Sequence, residues 1–383
     1  MKKISSIIIS ILIMLSYLAV LNPISAATLD VGPGKTYENI QNAIDAASEG
    51  DVIEVYAGTY TEDLNISTNN IELRPVAGAD VTIKGILFSD DGSIVPNINI
   101  NANNVRFHGF KVESPEVPEG NYSSGIALTG TSIEIYSNNF ISLGTGECIA
   151  IQAYPNTVIP TGSISDLKIY DNSFEGDPDE GYIGVVIGYT DPNYGAGNVL
   201  IKDNTFEENI LYAIISERYN TNILSNELTN SGIILDNTGI LIQDLTSKEG
   251  SLRIQDGVVI QGNSIKGFDA AGIVVGKDSQ ILKNVVISDN IIQNNEIGIK
   301  TRSSASEIKI NNNSILGNIK YEIENTHIDY LDAQYNWWGS NAGPMKSKIV
   351  GKVRYLPWIK NSELPVASIS KIIKKNQEKK NNK

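Results

Sequence analysis

The chain has 383 residues, 41% of them hydrophobic and only 19% charged, with 33 glycines and a formal net charge of −14. That apolar content excludes a disordered chain, and the scarcity of charge argues against a coiled coil. The acidity excludes a nucleic-acid binder, which needs a basic face for phosphates, and one cysteine (Cys148) with two distant histidines (His108, His327) excludes an internal disulfide and a histidine-rich zinc site.

Met1-Lys2-Lys3 opens with positive charge, an apolar run follows from Ile4 to Val20, and Pro23 to Ala27 offers small residues to a peptidase. Residues 1–27 read as a secretory signal peptide cut after Ala26 or Ala27. The alternative is an uncleaved anchor, because the run approaches the ~20 residues that span a bilayer. Cleavage leaves no transmembrane segment and a mature chain of 28 basic against 44 acidic residues, a charge of −16. The expected location is extracellular, secreted or held at the cell surface.

Tyr37, Ile40, Ile44 and Ala47 recur at helical spacing. They predict an amphipathic helix over about 36–48, stopped at Gly50 and followed by a strand from Asp51.

From the middle of the chain onward a six-residue phrase, apolar-x-x-Asn-x-apolar, repeats around Asn138, Asn172, Asn204, Asn226, Asn263, Asn290, Asn313 and Asn336. The intervals are 34, 32, 22, 37, 27, 23 and 23 residues, so the unit is 22–23 residues and the longer intervals carry insertions. A second phrase, small-apolar-x-apolar, follows at Cys148, Gly184, Ala213, Gly272 and Gly298. Short β-branched runs bounded by Asn, Gly, Ser and Asp are strand punctuation. Internal repetition at this period means a solenoid. The fold class is therefore all-β, a coiled β-solenoid with the predicted helix plugging its amino-terminal end, since an open solenoid edge invites foreign strands. Equivalent asparagines in adjacent coils stand ~4.8 Å apart and are expected to bond to one another as a structural ladder. Trp337, Trp338 and Trp358 close the other end and read as lids rather than sugar platforms.

The stretch Ile40-Gln41-Asn42-Ala43-Ile44-Asp45-Ala46-Ala47, with Gly50-Asp51 and Ala57-Gly58-Thr59-Tyr60, resembles the opening of many secreted right-handed parallel β-helix proteins. Asn336-Trp337-Trp338-Gly339, Gly343-Pro344 and Pro357-Trp358-Ile359 resemble their closing segment. The resemblance is to the pectate-lyase-like superfamily, and in style to the cell-surface β-helix proteins of archaea and bacteria. It implies one right-handed β-helix domain over residues 28–360, closing over about 333–360. It is specific for fold and weak for function, because the superfamily holds lyases, hydrolases and epimerases beside non-catalytic surface proteins.

Insertions collect between the small phrase and the next asparagine, at 153–166, 188–198 and 243–257. One-sided insertion is the usual mark of a binding face. Aligned on the small residue, with Gly239 rather than Gly232 in register, Ala153, Tyr189, Arg218, Asp244, Lys277 and Ser303 form one column. Tyr154, Thr190, Tyr219, Leu245 and Asp278 form the next, and Gln152, Glu217, Gln243 and Arg302 the one before. Tyr154, Tyr189 and Tyr219, with Gln152 and Asp191, are the candidate substrate-binding groups. Arg218, Lys277, Glu217 and Asp244 are the catalytic candidates if the protein is an enzyme. A simpler reading of Arg218, Asp244 and Lys277 is a charge ladder.

Asp177, Asp179 and Glu180, in an acidic turn, are candidate Ca²⁺ ligands, against the plainer reading of a solvated loop. Sequons stand at Asn65, Asn121 and Asn312, and residues 361–383 form a lysine-rich tail expected to be disordered. The functional expectation is an exported, monomeric cell-surface protein that binds a polysaccharide or envelope glycan without catalysis. The alternative is a polysaccharide-active enzyme, a lyase before a hydrolase, against which the acidity counts because an acidic polymer would be repelled.

Overall fold

The structure, a computed structural model, describes residues 26–86, 95–114, 122–141, 147–153, 164–176, 181–188, 197–217, 220–232, 235–243, 254–276, 281–302 and 307–360. Most of the expected signal peptide and the whole of the tail lie outside these residues. The chain forms a right-handed parallel β-helix of three sheets with 13, 10 and 11 strands, met in that order along each coil. The third sheet contributes one strand per coil, eleven in all, from Leu64–Ile66 to Ile349–Val350.

The phrase found in the sequence builds each coil. Its first apolar residue lies in the first sheet, where Ile53, Leu73, Phe107, Ile135, Ile169, Ile201, Ile223, Ile260, Ile287 and Ile310 are in register and fully buried. Its last apolar residue enters the second sheet, where Phe140, Phe174 and Phe206 stack with centroids 5.0 and 4.5 Å apart. Between them the chain bends sharply. The residue before each ladder asparagine (Ser137, Asp171, Asp203, Ser225, Gly262, Asp289, Asn312 and Tyr335) has a left-handed φ between 54° and 69°. Only glycine adopts that conformation freely, and Asn and Asp tolerate it better than other residues. The asparagine then closes the bend. Asn204, for instance, accepts from Asn172 N and Nδ2 on one side, both at 3.0 Å, and donates Nδ2 to Asn226 Oδ1 at 3.0 Å on the other. The expected ladder runs unbroken from Asn138 to Asn336.

A second asparagine row, not foreseen in the sequence, stands at the corner between the second and third sheets. Asn295 donates both N and Nδ2 to Asn318 Oδ1 at 3.0 Å, and Asn318 Nδ2 donates to the buried Glu322 carboxylate.

The helix at the amino-terminal end spans Ile40–Ala46 and buries Ile40, Ala43 and Ile44 against the first coil. It is shorter than the periodicity suggested: at its start the first two N–H groups, of Ile40 and Gln41, are taken by the Glu62 carboxylate from the turn after strand Gly58–Thr61. At the other end Trp338 is buried and Trp358 packs against the core, its Nε1 donating to Asn341 O. Trp337 instead extends the second sheet beside Ser314. Among the described residues no helix is long and apolar enough to cross a membrane.

Candidate functional site

The third sheet carries the face onto which the candidate residues were mapped. Its strands read as almost continuous apolar runs, as expected of a parallel sheet. The coils are aligned by a column of small residues. A Cβ on Gly239 would stand 2.6 Å from Gly272 O, and one on Gly298 would stand 2.6 Å from Glu322 O, so the backbones approach too closely for a side chain. Pairs on either side place Gly239, not Gly232, in this column.

One coil was misaligned by the sequence. Cys148 pairs with Tyr182, not Gly184, and the small residue opposite Gly184 is Ala150. The physical reason is corner length: Ala150 follows Asn138 by twelve residues, as Gly184 follows Asn172. Ala153 therefore lies beside Ile187 rather than in the column of Tyr189, and Gln152 leaves the column of Glu217. Cys148 itself faces inward, buried, with Ser123 Oγ 3.1 Å from its Sγ.

Gln152 instead points outward in a row with Val186, Ile215, Leu241, Val274, Lys300 and Glu324. Beside it runs a second outward row, Ile149, Ile183, Tyr212, Thr238 and Ala271. Together they make a mostly apolar strip across five coils, in which Val186, Thr238, Ala271 and Val274 are themselves buried. At its carboxy-terminal end the first row meets an ion pair, Lys300 Nζ to Glu324 Oε2 at 2.6 Å, while the second continues through Ile297 and Tyr321. At its amino-terminal end Asn99 Nδ2 donates to Asn65 Oδ1 at 3.1 Å. Ile183, Tyr212, Ile215 and Leu241 are half-buried, and the Gln152 carbonyl oxygen is buried with no hydrogen-bond partner.

The edge of this strip is lined by Glu217 and Gln243, which keep the register expected of them. Glu217 N donates to Ile187 O, Gln243 N to Ser216 O and Arg302 N to Val275 O, so the three occupy one column, with Gly188 before Glu217 and Gly276 between Gln243 and Arg302. Glu217 is 8% exposed, and its Oε1 accepts from Gln243 Nε2 at 3.0 Å. Arg218, Tyr219, Asp244, Lys277, Tyr154, Tyr189 and Asp191 lie outside the described residues, as do Asp177, Asp179 and Glu180 of the candidate calcium turn. Of the expected wall at 243–257, residues 254–257 belong to a first-sheet strand, Ile254–Gln261, which pairs along its length with Ile281–Ser288. The other two walls likewise hold described backbone at their ends.

A polar cluster on the outer face of the first sheet was missed in the sequence. His108, Tyr136 and Tyr170 stack face to face, with centroids 4.3 and 4.8 Å apart. Alongside, Glu72, Arg106, Glu134 and Lys168 alternate in sign on successive coils. Glu72 meets Arg106, Arg74 at 3.0 Å and His108 Nε2 at 3.1 Å, while Glu134 takes Lys168 Nζ at 2.6 Å and Tyr170 OH at 3.2 Å. Burial alone would raise the Glu72 carboxyl, but the His108 hydrogen bond and the Arg106 and Arg74 charges outweigh it and hold the group below its ordinary range. Burial, the Glu134 charge and the hydrogen bond to Glu134 push the Tyr170 phenol well above its usual value. The available signal was the phrase itself, since Tyr136 and Tyr170 occupy the same slot in consecutive repeats and His108 that slot one coil earlier. Rings that cover one another and charges already paired make a strut, with little left over for a ligand.

No family model matches the chain, and no curated protein matches it in sequence. Solved structures do resemble it. XylC in complex with xylose superposes with a TM-score of 0.54 at 11% identity, over 79% of this chain and 70% of that one. The tailspike protein of E. coli bacteriophage HK620, in complex with a pentasaccharide, gives 0.52 at 12% over 82% and 67%. The A-module of a mannuronan C-5 epimerase from Azotobacter vinelandii gives 0.50 at 13% over 82% and 84%. At such identities the likeness is one of fold: this chain shares the parallel β-helix architecture of these proteins.

Proposed function

We propose that the chain is an exported cell-surface β-helix protein that binds a neutral glycan along the outer face of its third sheet and does not cleave it. The observation that carries this reading is the strip itself. Ile149, Ile183, Tyr212, Ile215 and Leu241 give a ribbon on which the C–H faces of sugar rings pack. Gln152 and Gln243, both half-buried, supply polar groups for hydroxyls, while the buried Glu217 carboxylate holds Gln243 in place. A mostly apolar surface with a few placed polar groups is the usual make-up of a binding site. Two of the structural relatives are complexes with saccharides, one with xylose and one with a pentasaccharide. The mature charge of −16 favours a neutral polymer over a uronate-rich one. The signal-like amino terminus supports export.

The test is a glycan array on the mature protein, with and without Ca²⁺, read for binding and for the ultraviolet absorbance of unsaturated uronides. Saturable binding is expected, without product, weakened about 3- to 10-fold by Tyr212→Ala. Unsaturated product that vanishes in Arg218→Ala or Lys277→Ala would replace this reading with the lyase alternative. No binding to any glycan would end it.

A further inference from the structure

The two ends of the solenoid differ in charge and in apolar exposure, and the difference points to a partner. Residues 333–360, which build the closing end, hold five basic residues (Lys346, Lys348, Lys352, Arg354 and Lys360) and no acidic one. Residues 26–63, which build the opening end, hold eight acidic residues and a single lysine, Lys35. Part of this charge is used internally. Asp51 accepts from Ala27 N and Ser48 N, Glu62 holds the start of the helix, Lys348 donates to the carbonyls of Asn318 and Ile319, and Arg354 stands in register with Asp332. Glu38, Asp45 and Glu49 remain exposed around the amino-terminal helix, as do Lys346 and Lys352 at the other end. Eleven coils at ~4.8 Å separate the two sets by roughly 50 Å, far beyond the ~8 Å over which salt lets charges act at physiological strength. Within one molecule the two ends cannot neutralise each other.

The closing end is also the apolar one. Among the described residues eight large apolar side chains stand exposed; of these, Tyr335, Met345 and Leu356 belong to the closing segment itself, and Ile319, Ile328 and Tyr330 to the coil before it, which also carries Glu322, Glu324, Asp329 and Asp332. Met345 and Ile328 are each 73% exposed. Tyr330 carries Arg354 at 5.0 Å and Lys352 at 5.7 Å over its ring, so this exposed ring and the two cations share one surface. A polyanion would need the lysines alone. Concentrated apolar exposure beside them favours a protein partner.

We propose that the closing end of one molecule docks onto the helix-capped opening end of a second copy, giving head-to-tail association along the solenoid axis. Lys346 and Lys352 then face Glu38, Asp45 and Glu49, and the Met345 and Leu356 side chains leave solvent. The small and polar outward residues of the helix, Asn42 and Ala46, allow close approach. Such a contact is heterologous, so it propagates into an open filament unless its rotation closes a ring. This use of the molecule's ends is separate from the glycan-binding reading, which concerns its side. The sequence suggested a monomer, and the contrast between the ends gives a specific reason to test that expectation.

The experiment is sedimentation velocity of the mature protein across a concentration series at low and high salt, with circular dichroism to confirm folding. Concentration-dependent species are expected at low salt and lost at high salt. Lys346→Glu with Lys352→Glu should weaken association at least ~10-fold, and so should Asp45→Lys with Glu49→Lys. Mixing the two charge-reversed proteins should restore it, which a general solubility effect would not do. A concentration-independent monomer at both salts, or association untouched by either reversal, would overturn the proposal. So would polyphosphate binding at the lysines in a protein that stays monomeric alone.

Discussion

Asn172 Oδ1 takes two hydrogen bonds from Asn138, one from the backbone N–H at 3.0 Å and one from Nδ2 at 3.1 Å, and the same Asn138 amide nitrogen also reaches Phe107 O at 3.2 Å. One side chain thus ties three consecutive coils at a bend where backbone groups have no other partner. Aspartate keeps the acceptor but loses the donor, and serine is too short to span the coils, which is why asparagine recurs.

Removing one rung tests this. Asn204→Ala strips the acceptor from Asn172 N and Nδ2 and the donor from Ile169 O, all buried. A loss of about 2–4 kcal/mol in unfolding free energy is expected. Hydrogen exchange should show it in the neighbouring coils first, since each coil leans only on its neighbours. Asn204→Asp should lose less at acid pH, where the protonated carboxyl regains a donor.

The small-residue column predicts a steric limit. Gly239→Ala puts a methyl 2.6 Å from Gly272 O and 2.9 Å from Ile265 Cγ2, contacts with no flexible end to yield. Urea unfolding should report a loss of about 1–3 kcal/mol, the range for overpacking.

The aromatic strut predicts a ring effect separable from its hydroxyl. Tyr136→Ala breaks both the 4.3 and 4.8 Å stacks, whereas Tyr136→Phe keeps them. The alanine variant should lose about 1–3 kcal/mol and the phenylalanine variant little of that, in thermal melts of the two proteins.

Two carboxylates give opposite pH dependences. Glu72 binds its proton more weakly folded than unfolded, so its contribution is present above the unfolded pKa and is lost as pH falls through the lower, folded one. The stability gap between wild type and Glu72→Gln should therefore narrow as pH falls from about 6 to about 3. Glu322 is the reverse. Burial raises its carboxyl, against hydrogen bonds from Asn318 and Gly317 and the charge of Lys348. Its contribution is complete below the unfolded pKa and disappears as pH rises through the raised one. Glu322→Gln is expected to be the more stable protein at neutral pH, with the advantage fading in acid.

How much of this was legible from residues alone can be judged element by element. The asparagine phrase gave the fold class, the ladder and most of the coil register, because a bend that needs a left-handed residue and then a two-way hydrogen-bonding side chain leaves a fixed signature. Gly239 could be preferred to Gly232 on coil length alone. Cys148 and Ala150 are both small and apolar, and corners elsewhere are short enough to admit either, so the matching twelve-residue corner became decisive only with the pairing to Tyr182 and Gly184. The second asparagine row at Asn295 and Asn318 has no repeated apolar frame around it and passed unnoticed.

The sequence by itself determined that the chain is a capped β-solenoid, since local bends and alternating strands are properties of short segments. The tertiary structure decided which faces are available. Ile183-Gly184-Val185-Val186-Ile187 is apolar throughout, so alternation cannot tell core from surface there, and only the stacking of coils sends Val185 and Ile187 into the core, leaves Ile183 half-buried and keeps the buried Val186 out of the core cluster. Stacking likewise gathered Lys346 and Lys352 with Tyr330 and Met345 at one end, and set the acidic helix end eleven coils away.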